Sequence, residues 1–224
     1  MSMVHFSKKS ILFVLLPLFL LFLALLKNSN TMSTLTSYEP YDKLIQTVVE
    51  ARKSRKYNED DFSSDLINSD SGWVINDIDE DNQPELLFGK TMKNGDSVIF
   101  GIYTLSDNEC IQLANGWYRN RYYICNDGSI INSWSGSSFE YGYSRYLYSS
   151  NSLYFDEAVD YIEDSADVSG NGQWYYSRTS EDLLVEDSNG KHILNPAFTL
   201  ITEDEAESII NSYEFKSFNF TPFE

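Results

Sequence analysis

The sequence predicts an α+β fold: a mostly antiparallel β meander, with an N-terminal and a C-terminal helix packed on the sheet. Three observations carry that prediction. Dipeptides that accept positive φ in tight hairpins recur at Asn94-Gly95, Asn115-Gly116, Asp127-Gly128, Asn171-Gly172 and Asn189-Gly190. Between them lie short runs rich in β-branched and aromatic residues, a pattern of locally joined strands rather than βαβ units. Helical periodicity occurs near the two ends of the domain, and no fixed-period repeat supports a propeller or solenoid.

The first element is apolar. From Ser10 to Leu26 no charged residue occurs, while Lys8 and Lys9 precede the run and Lys27 follows it. Flanking lysines hold the N-terminus inside as such a run enters the bilayer. Leu-Ala-Leu-Leu-Lys offers no small-residue cleavage site, and no cysteine follows that could take a lipid. The expectation is an uncleaved membrane anchor over residues 1–27 and a polar tether over 28–37. Residues 38–224 would then be an extracytoplasmic, acidic, β-rich domain, in a single-pass protein with residues 28–224 outside. Secretion after cleavage is the alternative.

The next element is a helix. Pro40 suits a first turn, and Tyr41, Leu44, Ile45, Val48 and Val49 form one apolar stripe. Arg52, Lys53, Arg55 and Lys56 sit at the end that favours cations. After an acidic, serine-rich stretch, the strand-like runs are 73–75, 85–88, 97–105, 121–125, 129–134, 139–148, 174–177 and 183–185. Thr202-Glu203-Asp204-Glu205 then reads as a capping box opening a helix that buries Ala206, Ile209, Ile210 and Tyr213.

Charge excludes one class of partner. The chain has 34 acidic and 16 basic side chains, a net of −18, and three of the lysines lie in the first 27 residues. Such a field repels nucleic acid and attracts cations or basic surfaces. Catalytic residues are scarce. His192 is the only histidine after residue 5, and it lies in a turn-like Asn-Gly-Lys-His segment, which disfavours a histidine-dependent nucleophile or a zinc site. Cys110 and Cys125 could form a disulfide or remain packed thiols, because sequence does not set their separation.

The most informative stretch runs from Asn76 to Leu87. Asp77, Asp79 and Asp81 alternate, Gln83 offers a backbone carbonyl, and Glu85 supplies a fourth carboxylate. Calcium takes six to eight oxygens from a flexible loop, and this spacing provides most of them. Asn82 stands where a left-handed turn is needed, and Glu80 should point outward. Phe88 stands where an EF-hand would have its bidentate Glu, so the loop is of another kind. Acidic side chains this crowded repel one another unless a cation sits between them; a solvated acidic turn is the alternative. A recognition surface, if present, is expected from Trp117, Arg119 and Arg121, and from Phe139, Tyr141, Tyr143 and Arg145. These residues could present rings and planar cations to a sugar or peptide, or could simply pair across strands.

The stretch Asp77 to Leu87 resembles the DIDGDGxPELL-type strand–loop–strand of a family of secreted or lipid-anchored proteins of Gram-positive bacteria. The likeness extends through Ile102 to Leu105, Arg119 to Ser129, the acidic helix at 203–213 and the tail Phe220 to Phe223, roughly residues 40–224 in all. It implies an extracytoplasmic calcium-binding domain without an assigned reaction. Asn82 for Gly and the missing lipid-attachment cysteine depart from the family pattern. Taken together, the sequence points to a calcium-stabilised binding or adaptor domain of unknown ligand held at the membrane, a cell-wall component or a protein being the candidate ligands. The alternatives are a cell-wall-active hydrolase using paired carboxylates, or an immunity-type interaction protein.

Overall fold

A computed structural model describes residues 38–58, 62–68, 70–136, 140–163 and 172–223. The expected anchor at 1–27 and tether at 28–37 lie outside the described residues, as do Phe139 and Asn171. No helix among the described residues is long and apolar enough to cross a membrane. All of them but Tyr38 and Glu39 belong to one compact unit, Pro40–Glu224.

Helix α1 spans Glu39–Ser54 and buries Tyr41, Ile45, Val48 and Ala51, one residue per turn along a single stripe. Leu44 and Val49, at the stripe's margins, are half-buried. Both ends of the helix are pinned. The Tyr41 hydroxyl donates to the carbonyl of Pro84 at 3.0 Å, and the Arg52 guanidinium donates to Ser71 Oγ at 3.0 Å and lies over the Phe223 ring. A second helix, α2 (Ser64–Asn68), occupies the serine-rich stretch where the sequence showed no periodicity. One turn is too short for a pattern to register.

The strands are β1 Gly72–Asn76, β2 Glu85–Thr91, β3 Ser97–Ser106, β4 Glu109–Asn115, β5 Asn120–Ile124, β6 Ile130–Ser135, β7 Glu140–Ser149 and β8 Ser152–Ile162. They continue with β9 Gln173–Ser177, β10 Leu184–Glu186, β11 His192–Leu194 and β12 Thr199–Ile201. Helix α3 (Glu203–Ile210) follows, and β13 (Thr221–Pro222) ends the series. Eleven strands form one antiparallel sheet ordered β12-β9-β8-β7-β6-β5-β3-β2-β1-β13, with β4 also paired to β3; β10 and β11 make a separate hairpin. The predicted class, a mostly antiparallel sheet with a helix near each end, is the class observed.

Three hairpins turn at the expected dipeptides, with Gly95, Gly128 and Gly190 at φ of 95°, 80° and 75°. Two others have no glycine. Asp107-Asn108 joins β3 to β4 and Ser150-Asn151 joins β7 to β8, with φ between 51° and 64° at all four residues. Positive φ at both central positions is the type I′ geometry that suits strand twist. Without a glycine to mark these turns, β4 and β8 were not among the expected strands, although β8 is eleven residues long.

Opposite faces of the sheet are covered by different parts of the chain. Ile131 and Cys125 pack with Tyr213, with Tyr123, Tyr143, Ile209 and Phe215 around them, so α3 and the segment after it cover that face. The capping box forms as read: Thr202 N donates to Glu205 Oε2 at 2.8 Å and Glu205 N to Thr202 Oγ1 at 3.2 Å. On the other face Ala158, Ile162 and Tyr175 pack beneath Leu183 and Phe198, which flank the β10–β11 hairpin. A third cluster, including Ile78, Leu87, Ile99, Ile102, Ile130, Tyr148 and Phe218, lies behind the β1–β2 loop.

The two cysteines are free, and the strand register explains why they do not join. Cys110 pairs with Leu105, whereas β5 meets β3 at Ile99 and carries Cys125 beyond it. Leu105 and Ile99 alone are ~20 Å apart along the strand. A disulfide requires Cα atoms within about 7 Å.

Candidate metal centre

The loop Asp77–Pro84 closes the hairpin between β1 and β2, whose last register pair is Asn76 with Glu85. Its path is set by backbone donors folding onto its own carboxylates. Asn82 N donates to Asp77 Oδ2 at 2.9 Å and Gln83 N to Asp81 Oδ1 at 2.7 Å. Asn82 takes φ 70° as expected, and exposed Glu80 also takes a positive φ, 63°.

Asp77, Asp79 and Glu85 each turn one ligand-type oxygen toward a common point, and these atoms all lie within 4.8 Å of one another. Asp77 Oδ1 and Asp79 Oδ1 are buried and accept no hydrogen bond. Leaving one such oxygen unmet costs roughly 1–3 kcal/mol. Two like charges at that separation add roughly 3 kcal/mol of repulsion at an effective dielectric of about 20.

Glu85 is fully buried, and both its oxygens are held. Ile78 N donates to Oε2 at 3.1 Å and the Tyr148 hydroxyl to Oε1 at 2.9 Å. The carboxyl is raised to about 7: burial is the largest cause, those two hydrogen bonds work against it, and the charges of Asp79 and Asp81 add to it. Asp79 is raised as well, first by burial and next by Asp81, with backbone N–H groups and Asp77 as smaller influences. The Tyr148 hydroxyl is raised by burial and by Glu85. Asp79 and Glu85 therefore give up their protons less readily than they would in water.

Of the four expected carboxylate ligands, three converge. Asp81 lies outside that trio, exposed and caught by Gln83 N, although its charge reaches both Asp79 and Glu85. The Gln83 side chain turns away and donates to the Leu105 carbonyl at 2.8 Å. Support comes from residues the sequence did not connect with the loop. Thr104 Oγ1 donates to Asn151 Oδ1 at 3.0 Å, so the Ser150-Asn151 turn docks beside the loop. At Gly128, a Cβ atom would stand 2.7 Å from the Ile78 carbonyl, so the Asp127-Gly128 turn can pass this close only as glycine.

Among the expected recognition residues, Arg121 stands opposite Ser133 and Ser133 opposite Tyr143, so Arg121 shares a sheet face with Tyr143 and with Tyr141 and Arg145 on either side of it. Trp117 is exposed and meets the ring of its neighbour Tyr118 edge-on at 5.2 Å. Arg119 and Arg121 are half-buried on the β5 side. Tyr141 stacks on Tyr161 at 5.0 Å and meets Trp174 edge-on at 5.6 Å, across paired strands. Tyr143 packs on the Ile131 cluster. Arg145 is held among carboxylates: Asp127 at 2.7 Å, Asp156 at 3.7 Å and Glu157 at 3.8 Å. Burial works to raise Asp127, but the Ser129 hydroxyl and N–H and the Arg145 charge hold it below the usual carboxylate range. On β7, Tyr141 takes part in cross-strand ring contacts and Arg145 in ion pairs.

One further carboxyl, Asp160 on β8, had no local signal. It is fully buried, its Oδ1 accepts from the Trp134 indole at 3.2 Å, and its Oδ2 accepts nothing. No protein-family model, curated protein or solved structure matches this chain.

Proposed function

We propose that this protein is an extracytoplasmic binding or adaptor domain, held to the membrane by residues 1–27 and stabilised by a calcium ion in the β1–β2 loop. The observation that carries the metal is the convergence of Asp77, Asp79 and Glu85 with two buried oxygens that accept no hydrogen bond. All-oxygen, all-acidic donors match a hard divalent cation. Asp77 and Asp79 would ligate through those oxygens and Glu85 through a lone pair left by Ile78 N and Tyr148. Asp81 and the Gln83 carbonyl are near enough in sequence to complete the shell. The ion's role in this reading is structural: it neutralises the loop and so holds the hairpin, whose base carries the fully buried Glu85, against β3 and the β7–β8 turn.

Binding rather than catalysis is the better reading, because the loop holds acids whose neighbours are hydrogen-bond donors and no nucleophile. The test is thermal unfolding of the full chain with calcium and with chelator, beside Asp79→Asn. With calcium at about a hundred times its Kd, linkage contributes roughly 3 kcal/mol, which is several degrees in Tm. The parent should show that shift and the variant little of it. No shift in the parent removes the metal.

A further inference from the structure

A β-strand residue facing a covered side of a sheet is ordinarily apolar. On the face beneath the β10–β11 hairpin this rule fails along one band. Asn132, Ser144, Asp160 and Ser177 are all buried there, beside the apolar cluster of Ala158, Ile162 and Tyr175. Burying polar groups is costly without partners, and Asp160 Oδ2 has none.

The position of that carboxyl follows from the register. Trp134, Gly142, Asp160 and Tyr175 stand opposite one another on β6, β7, β8 and β9. A Cβ atom on Gly142 would lie 1.8 Å from Asp160 Oδ1, so the carboxyl fills the space where residue 142 has no side chain. On β7 the residues flanking Gly142 on the same face are Glu140 and Ser144. Both, together with Trp134, line a cleft of ≈ 440 Å³. Asp160 therefore underlies the cleft floor. The opposite wall is formed by Glu181, Asp182 and Leu183. Tyr146, also in the lining, donates its hydroxyl to Glu181 at 2.6 Å.

We propose that this cleft binds an organic cation, an ammonium or guanidinium group on an apolar stem. Three carboxylates line it, from Glu140, Glu181 and Asp182, with His192 beside them, and no lysine or arginine does among the described residues. Such a lining rejects anions and leaves a neutral ligand with charge uncompensated. The Trp134 and Tyr146 rings suit a cation and its methylene stem. The cation could be a free amine or a basic side chain of a partner protein. This inference supplies the ligand class for the binding-domain reading and rests on it, though not on the calcium ion.

Isothermal titration of the full chain with spermidine, with N-acetyl-lysine methylamide and with N-acetylglucosamine tests it. At least one amine should saturate, with affinity falling as salt rises. Glu140→Gln and Glu181→Gln should each weaken it about fivefold, the scale of one exposed charge contact. Saturation by spermidine alone points to a free amine, and by the lysine derivative alone to a peptide side chain. The proposal is overturned if neither amine saturates, if both variants bind as the parent does, or if N-acetylglucosamine binds as well as the amines. Calcium-dependent Tm in the same variants keeps the two sites apart. An intact calcium shift with lost amine binding assigns the loss to the cleft, and amine binding without any calcium shift leaves the cleft standing and removes the metal.

Discussion

Glu85 and Asp160 are both fully buried carboxyls, and burial raises them to about 7 and about 8. Their company differs. Glu85 has donors on both oxygens, and two aspartates each bring a carboxylate oxygen to within 4.8 Å of it. Asp160 has one donor, the Trp134 indole, with the charge of Glu140 raising it further. The first environment is arranged to keep a carboxylate charged once a cation arrives, because the donors that favour the anion are already in place. The second favours a neutral acid, because the only help for the anion is a single indole N–H. Burial alone therefore does not tell the proposed metal ligand from a retained acid; the donors and the neighbouring acids set the two apart.

Removing Glu85 should break the comparison most severely. Glu85→Ala leaves Ile78 N and the Tyr148 hydroxyl unmet and opens a cavity. It is expected to cost roughly 3 kcal/mol or more in denaturant unfolding with chelator present. A loss under 1 kcal/mol would mean that the loop relaxes to meet those donors elsewhere.

Asp160 should govern the dependence on pH. A carboxyl raised in the folded state keeps a proton that the unfolded chain has lost. Its contribution is then fully present below the ordinary carboxylate range and is lost as pH rises toward about 8. One retained proton gives a slope of up to about 1.4 kcal/mol per pH unit. Asp160→Asn, measured with chelator between pH 5 and pH 8, should flatten the decline in stability. Glu85 contributes in the same direction up to about pH 7. A variant as pH-dependent as the parent would assign the whole effect to the loop.

The smallest effect is expected at Asn82, where φ is 70°. Glycine adopts that conformation without strain, but asparagine tolerates it too, so Asn82→Gly should change stability by less than about 1 kcal/mol. If it raises calcium affinity sharply, loop strain rather than donor geometry limits the site.

Much of this protein is written along the chain at short range. Helix α1 follows from a stripe repeating within four residues, α3 from a capping box, and three hairpins from glycines whose φ is positive. The Asp77–Glu85 spacing is legible for the same reason, since a loop brings residues two apart into one neighbourhood. Tertiary structure decided what depends on register. It left Asp81 outside the trio, turned the Gln83 side chain to Leu105, and separated the cysteines along β3. It placed Asp160 beneath Gly142 and enclosed Arg145 in carboxylates. It also supplied the two glycine-free hairpins, because Asp-Asn and Ser-Asn reach positive φ at a small cost that packing of the flanking strands outweighs. Local propensity acts over a few residues, whereas partners across strands are chosen by which faces can be buried together, and that choice belongs to the folded chain as a whole.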